Sequence, residues 1–176
     1  MPSFKAISRL ERQKSNLGGI IRASIFAASD FTGDWPREAD ITAGILTIAP
    51  PLKAGVNAAV LTFDNGTCRI KSTTKGKIGY QNTDHELEAK FAGFEAAQAE
   101  ALKLLMNEGG VAILTYKDGK RVVAGASYEP LAFETSTDSG AKSDDALQIS
   151  FKAKTENSLA FVPPILGPTV TVPMPV

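Results

Sequence analysis

The sequence predicts a mainly β protein, an antiparallel β-sandwich or split barrel with one packed α-helix at about residues 94–108. Several segments alternate polar and apolar residues with a period of two, which is typical of strands. Asn65-Gly66 and Asp118-Gly119 are dipeptides typical of hairpin turns. The length of 176 residues, 43% of them hydrophobic, suits one domain that buries a core of its own.

Two predicted strands, Asp84–Phe91 and Leu147–Lys154, alternate most cleanly between an apolar and a polar face. Such strands bury one face and leave the other in water, as antiparallel sheets do. The polar faces carry Glu86, Glu88, Lys90, Gln148, Ser150, Lys152 and Lys154.

Further strands are predicted earlier in the chain. Ile20–Ser29 alternates imperfectly, and Ile41–Ile48 is a short strand followed by Pro50-Pro51. The apolar face of the first of these strands is expected to carry Ile21, Ala23, Ile25 and Ala27.

Both turn dipeptides predict a hairpin with a type I′ turn. The first would pair Val60–Asp64 with Thr67–Lys71 around Asn65-Gly66. The second would pair Val111–Lys117 with Lys120–Ala124 around Asp118-Gly119.

One helix is predicted, over Phe94–Glu108, because the segment is rich in good helix formers. Gly109-Gly110 is the expected stop. The apolar stripe at helical spacing consists of Phe94, Ala97, Ala101, Leu104 and Leu105.

Three segments fit the folded domain less well. Residues 1–18 are charged and predict an N-terminal arm, so that the single domain spans residues 19–162. Residues 134–145 are polar and predict an exposed, mobile loop. Residues 163–176 carry five prolines and no charge, which predicts a C-terminal arm containing neither a helix nor a central strand.

The sequence contains no recognisable catalytic, cofactor-binding or metal-binding motif. With one cysteine, Cys68, and one histidine, His85, neither an intrachain disulfide nor a Cys/His metal cluster is available. We interpret Cys68 as a structural thiol and His85 as a core or interface residue. No cofactor is expected, and the chain is not expected to be an enzyme.

Charge and hydropathy exclude further classes. A formal net charge of +0 argues against a dedicated nucleic-acid binder, and Arg69 with Lys71, Lys75 and Lys77 is interpreted as a solvated hairpin end. No apolar run is long enough for a membrane helix and no secretory signal is visible, so cytoplasmic folding without membrane insertion is expected. Trp35 is either a partner anchor or a core residue beneath a loop.

The order of parts from Thr67 to Val162 resembles the tail tube, or major tail, proteins of bacteriophages. The parts are the two-faced strand at residues 84–91, the helix at 94–108, and the hairpin with Lys117-Asp118-Gly119-Lys120 at its tip. A polar loop and the last two-faced strand follow. This pattern covers a little over half of the chain, and residues 163–176 depart from it.

The resemblance implies a structural virion subunit that forms stacked hexameric rings around a DNA-conducting channel. Its partners would be further copies of itself, other tail proteins and DNA in transit, and the chain would be made in the bacterial cytoplasm. The seven polar-face residues become candidates for the channel lining. The alternatives are another small virion protein (a tail terminator, head–tail connector or capsid decoration protein), a cytoplasmic β binding module and, least supported, an enzyme.

Overall fold

A computed structural model describes residues 19–62, 66–77, 80–92, 103, 105–138, 148–158 and 163–174. The chain is mainly β, with strands over 51% of its length and one short helix, which confirms the predicted fold class. The strands are β1 (Ile20–Ala27), β2 (Ile41–Thr42), β3 (Ile45–Leu46), β4 (Ala59–Thr62), β5 (Cys68–Lys77), β6 (Tyr80–Ala92), β7 (Gly110–Tyr116), β8 (Arg121–Ala124), β9 (Ala132–Asp138), β10 (Gln148–Ser158) and β11 (Ile165–Leu166).

The strands form two sheets. The seven-stranded sheet has the order β2-β3-β11-β8-β7-β1-β4, and the four-stranded sheet has the order β5-β6-β10-β9. Neighbouring strands are antiparallel except for β11 and β3, which are parallel. Short 3₁₀ turns at Ala28–Asp30 and Glu38–Asp40 lie in the long connection between β1 and β2.

The main core lies between the two sheets. The seven-stranded sheet contributes one face of its central strands, and the four-stranded sheet contributes the apolar face of β6 and the start of β9. The fully buried members of this core include Ala23, Ile25, Ala112, Leu114, Leu87, Ala89 and Leu131.

A second core covers the opposite face of the seven-stranded sheet. Residues from the connection between β1 and β4 and from the C-terminal segment pack there on Phe26, Ile113 and Val123. The seven-stranded sheet is therefore buried on both faces, which explains why β1 alternates so imperfectly. The covering side chains are Phe31, Trp35, Ala58 and Val170, and Leu46 of β3 and Leu166 of β11 belong to the same core as part of the sheet.

The first residues of β1 differ from the prediction. The register shifts between Ile20 and Arg22, so Ile21 is an unpaired bulge residue. The bulge turns Ile20 into the core and leaves Ile21 exposed. The expectation that Ile21 shares the buried face of Ala23 is therefore wrong.

Within the predicted helix, residues 103 and 105–108 are helical, and the remaining positions lie outside the described residues. Leu105 is buried in the core between the sheets. Gly109, at a φ of 67°, donates its backbone N–H to the carbonyl of Leu105 at 2.9 Å, which is the hydrogen bond of a left-handed C-cap. The predicted glycine stop is confirmed.

The predicted hairpin around Asn65-Gly66 is wrong. Strand β4 pairs with β1, whereas β5 pairs with β6 in the other sheet. Asn65 lies outside the described residues, but the strands before and after it belong to different sheets, since β5 forms a ten-pair ladder with β6 and β4 pairs with β1.

The hairpin around Asp118-Gly119 is confirmed, but its turn is of another type. Gly119 donates to the carbonyl of Tyr116 at 3.0 Å, and Tyr116 donates to the carbonyl of Lys120 at 2.8 Å. Among the described residues other than glycine, only Ala43 has a positive φ, so a type I′ turn is excluded here. The geometry is a type I turn followed by a glycine bulge.

The type I′ turn occurs within the segment predicted as a single strand at Ile41–Ile48. Strands β2 and β3 pair Ile41 with Leu46 and Thr42 with Ile45. Ala43 and Gly44 connect them with φ angles of 52° and 80°, the two positive values that this turn requires. The segment is therefore a small hairpin.

The start of the predicted loop at residues 134–145 is a strand instead. Strand β9 pairs with β10 from Ala132 to Asp138, while residues 139–145 lie outside the described residues. Phe133, Thr135 and Thr137 alternate with more polar residues, and threonine favours strands. The period-two pattern is hard to recognise in the sequence because most residues on both faces of this strand are polar.

The C-terminal segment is integrated into the domain. Strand β11 lies between β3 and β8 and is the connection through which β2 and β3 join the seven-stranded sheet. The expectation that prolines exclude a central strand is wrong, because β11 needs only two residues and Pro163, Pro164 and Pro168 flank it. The described part of the predicted arm, residues 163–174, thus covers the domain's own sheet.

We predict that Leu166→Ala lowers the free energy of unfolding by about 2–5 kcal/mol, the usual cost of deleting a buried leucine side chain. Leu166 is 2% exposed in β11, and its neighbour Ile165, at 40% exposed, provides the matched control. Ile165→Ala should cost markedly less. Equal losses in chemical denaturation would contradict the assignment of β11 to the core.

Candidate functional site

The outer face of the four-stranded sheet carries the predicted polar residues, and we call it the charged face. On β6, Glu86 and Glu88 are half-buried and Lys90 is exposed. The intervening residues Leu87 and Ala89 are buried against the other sheet, as is His85. The predicted two-faced character of this strand is confirmed.

The register places the predicted residues of β10 beside those of β6. Ser150 lies opposite Lys90, Lys152 opposite Glu88 and Lys154 opposite Glu86. Gln148 lies opposite Ala92 at the end of the ladder. Because residues directly opposite in an antiparallel pair share a face, all seven predicted residues belong to one surface.

The sequence prediction missed the two outer strands of this surface. Strand β5 places Arg69 opposite Glu88 and Lys71 opposite Glu86. Strand β9 places Glu134 opposite Lys152. One row across all four strands consists of Arg69, Glu88, Lys152 and Glu134, and its charges alternate in sign.

Ion pairs connect neighbouring strands on the charged face. The Arg69 guanidinium Nε donates to Glu88 Oε2 at 2.6 Å, and Lys75 pairs with Asp84. Exposed pairs of this kind contribute only about 0–1 kcal/mol each. The alternating charges therefore neutralise the surface more than they stabilise the fold.

The two edges of the four-stranded sheet differ in charge. On the charged face, edge strand β5 carries only basic ionisable residues, and edge strand β9 carries only acidic ones. With four antiparallel strands, the two edge strands also run in opposite directions. The basic residues are Arg69, Lys71, Lys75 and Lys77; the acidic residues are Glu134 and Asp138.

His85 lies on the buried side of β6, as expected, and is 2% exposed. Its ring nitrogen Nδ1 is 2.8 Å from the Oγ of Ser72, its direct partner on β5. This hydrogen bond satisfies a buried imidazole nitrogen within the sheet. The described contacts thus support the interpretation of His85 as a core residue.

Cys68 is buried at the start of β5. Burial disfavours the charged thiolate and raises the pKa of Cys68 to about 12. Since the thiolate is the nucleophilic form, the geometry supports a structural thiol.

We predict that a thiol reagent at pH 8 modifies Cys68 about 1,000-fold more slowly in the folded protein than in the unfolded chain. The pKa rise from 9.0 to about 12 lowers the thiolate fraction by that factor. Tyr80→Cys, at a site that is 88% exposed, provides a reactive control. Equal rates at the two positions in the folded variant would contradict the burial of Cys68.

Trp35 is a core residue and not an exposed partner anchor. Its indole is almost completely buried, stacks on the Phe31 ring at 5.9 Å and donates Nε1–H to the carbonyl of Ile48 at 3.1 Å. The backbone N–H of Ser127 donates to the carbonyl of Trp35 at 2.7 Å, and the backbone N–H of Trp35 donates to the Oγ of Ser127 at 2.9 Å. Trp35 therefore fixes the connection after β1 on the seven-stranded sheet.

Within the described ranges, no three His, Cys, Asp or Glu side chains come together as metal ligands would. In the same part of the chain, no helix has both the length and the apolar character required to cross a membrane. No family model, curated protein or solved structure matches the chain.

Proposed function

We propose that the protein is a structural virion subunit that forms the tail tube of a bacteriophage, as hexameric rings stacked around a DNA-conducting channel. The observation that carries this proposal is the charged face, with its alternating rows and its two edges of opposite charge. The resemblance in the order of elements supports the same function.

The two edges fit one another in a head-to-tail contact. Free edge strands present unpaired backbone N–H and C=O groups that can pair with another chain. Strand β9 of one copy would pair with β5 of the next in the antiparallel sense. Glu134 would then approach the basic edge of its neighbour, and the alternation of charge would continue across the junction.

Contacts between like edges are disfavoured by the same charges. Pairing β5 with a second β5 would bring Arg69 and Lys71 close to another basic edge, and pairing two β9 strands would bring acidic residues together. Like charges that are directly opposite on neighbouring strands are destabilising. Charge therefore favours a ring-forming contact over a symmetric dimer.

The proposed ring has room for a channel. Six copies would place roughly 24 strands around the axis, about 4.8 Å apart and tilted by about 40°, which gives a backbone diameter of roughly 48 Å. The charged face would line this channel while the apolar face of β6 stays in the core.

A mixed charge lining suits DNA that must move. Each basic residue that neutralises a phosphate releases counterions and adds to a binding free energy that grows along the channel. Glu86 lies between Lys71 on β5 and Lys154 on β10. Glu88 lies between Arg69 and Lys152 on the same two strands. The acidic residues thus keep the lining from binding the duplex tightly.

The assembly is tested by negative-stain microscopy and light scattering of the purified protein. Stacked rings or tubes with a central hole are expected, whereas isolated rings would favour a tail terminator or connector. A monodisperse monomer at high concentration would overturn the proposal and favour a binding module.

We predict that Glu134→Lys prevents ring formation, because it places a positive charge on the edge that meets the basic edge of the next copy. Glu38→Lys makes the same change of charge at an exposed residue outside both sheets and should leave assembly intact. Circular dichroism checks that both variants fold. Equal assembly of the two variants would exclude β9 as the charged edge contact.

We also predict that Glu86→Lys with Glu88→Lys gives assemblies that bind duplex DNA at moderate salt, with an affinity that falls steeply as salt increases. The control is Glu38→Lys with Glu129→Lys, which changes the net charge equally away from the charged face. If both double variants bind DNA equally, Glu86 and Glu88 do not line the channel.

A further inference from the structure

A buried serine hydroxyl interrupts the apolar face that β1 presents to the second core. Ser24 is 3% exposed and lies directly opposite Val60 on β4 and Ile113 on β7. Ile113 belongs to the second core, as does Phe26, the next residue of β1 on this face, and Val60 packs against it. An alanine or a valine would fit this row without burying a polar atom, so the hydroxyl requires an explanation.

The hydroxyl of Ser24 meets the sulfur of Met174. Ser24 Oγ donates to Met174 Sδ at 3.6 Å, and within the described residues this hydroxyl makes no other hydrogen bond. A thioether is a weak acceptor, so a buried hydroxyl with this partner alone loses most of the hydrogen bonding that it has in water. The donor is therefore suited to a stronger acceptor at the position of the sulfur.

Contacts along the C-terminal segment hold Met174 at this place. The carbonyl of Pro173 accepts a hydrogen bond from the backbone N–H of Ala58 at 3.4 Å. Earlier in the segment, the Arg121 guanidinium donates to the carbonyl of Gly167 at 2.7 Å, directly after β11. The sulfur is thus presented to the hydroxyl by a backbone that the rest of the domain fixes.

Oxidation converts the thioether into the stronger acceptor. Hydrogen peroxide transfers one oxygen atom to the sulfur and leaves as water, so that the sulfur loses the two electrons that the peroxide gains. The sulfoxide group is polar, and burying it without a hydrogen-bond donor would destabilise an apolar core. At Met174 the sulfoxide oxygen can accept from Ser24, which satisfies both buried polar groups at once.

We propose that Met174 is a site of methionine sulfoxidation by peroxides, at which the Ser24 hydroxyl donates its hydrogen bond to the sulfoxide oxygen. The oxidised C-terminal segment then stays docked on the second core, because a buried donor meets the new polar group. Met106 lacks this arrangement, since its partner Thr135 donates to it at 3.2 Å in an exposed position. The site is independent of the ring contact proposed above and operates in the single subunit.

The test is treatment of the folded full chain with hydrogen peroxide in a Met106→Leu background. Mass spectrometry of the C-terminal peptide should show one added oxygen atom on Met174. Chemical denaturation before and after oxidation is then compared between the protein with Ser24 and the variant Ser24→Ala. Oxidation should raise the unfolding equilibrium constant about tenfold more in Ser24→Ala, because the sulfoxide oxygen has lost its donor. Equal increases, or oxidation of Met174 only after the chain has unfolded, would overturn the proposal.

Met174→Gln provides a second measurement that needs no oxidant, because glutamine carries an amide oxygen as a strong acceptor. In a double-mutant cycle with Ser24→Ala, Met174→Gln should raise the unfolding equilibrium constant about tenfold more when the hydroxyl is absent. Met174→Leu is the apolar control, and its cost should be no greater without the hydroxyl. Equal costs of Met174→Gln in the two backgrounds would overturn the hydrogen bond on which the site depends. All of these values are read in the dilute subunit, so none depends on ring formation.

Discussion

The seven-stranded sheet has two apolar faces, and the need to cover both determines the rest of the architecture. Each large apolar side chain removed from water contributes about 1.5–3 kcal/mol, so neither face can remain exposed. The four-stranded sheet covers one face through Leu87 and Ala89, and the C-terminal segment with the connection after β1 covers the other. Because the four-stranded sheet has only one face to bury, its other face is left to charged residues.

This constraint also explains which strands the sequence predicts well. Strand β6 is buried on one side only, so its period-two pattern is visible and predicted correctly. Strand β1 is buried on both sides and contains a bulge at Ile21, so its pattern is blurred. A turn dipeptide such as Asn65-Gly66 describes a local conformation, and the strand partners are decided by ladders far apart in the chain.

Part of the charged face can likewise be predicted from local sequence, whereas the rest depends on pairing between strands that are far apart in the chain. Seven of its residues are predictable because the polarity of a strand face is local, and alternation alone identifies it. The charge rows are not predictable from spacing, because Arg69, Glu88, Lys152 and Glu134 come from four segments that the register aligns. The basic cluster on β5 is visible in the sequence, as are Glu86 and Glu88, but the register that places Arg69 opposite Glu88 and Lys71 opposite Glu86 is not.

The shape of the subunit bears on which surface would face a channel. The seven-stranded sheet has three more strands than the four-stranded sheet, which makes it about 14 Å wider. Packed sheets lie about 10 Å apart, and in the proposed ring the seven-stranded sheet would be the outer layer. Six subunits around an axis need each outer layer to be roughly 10 Å wider than the inner layer at that spacing. In the proposed assembly, a wedge of this size would curve a head-to-tail row of subunits toward the narrower, four-stranded sheet, so that the contact would close into a ring instead of growing as a flat ribbon. The narrower sheet is the one that carries the charged face, and curvature and charge thus favour the same lining for the proposed channel.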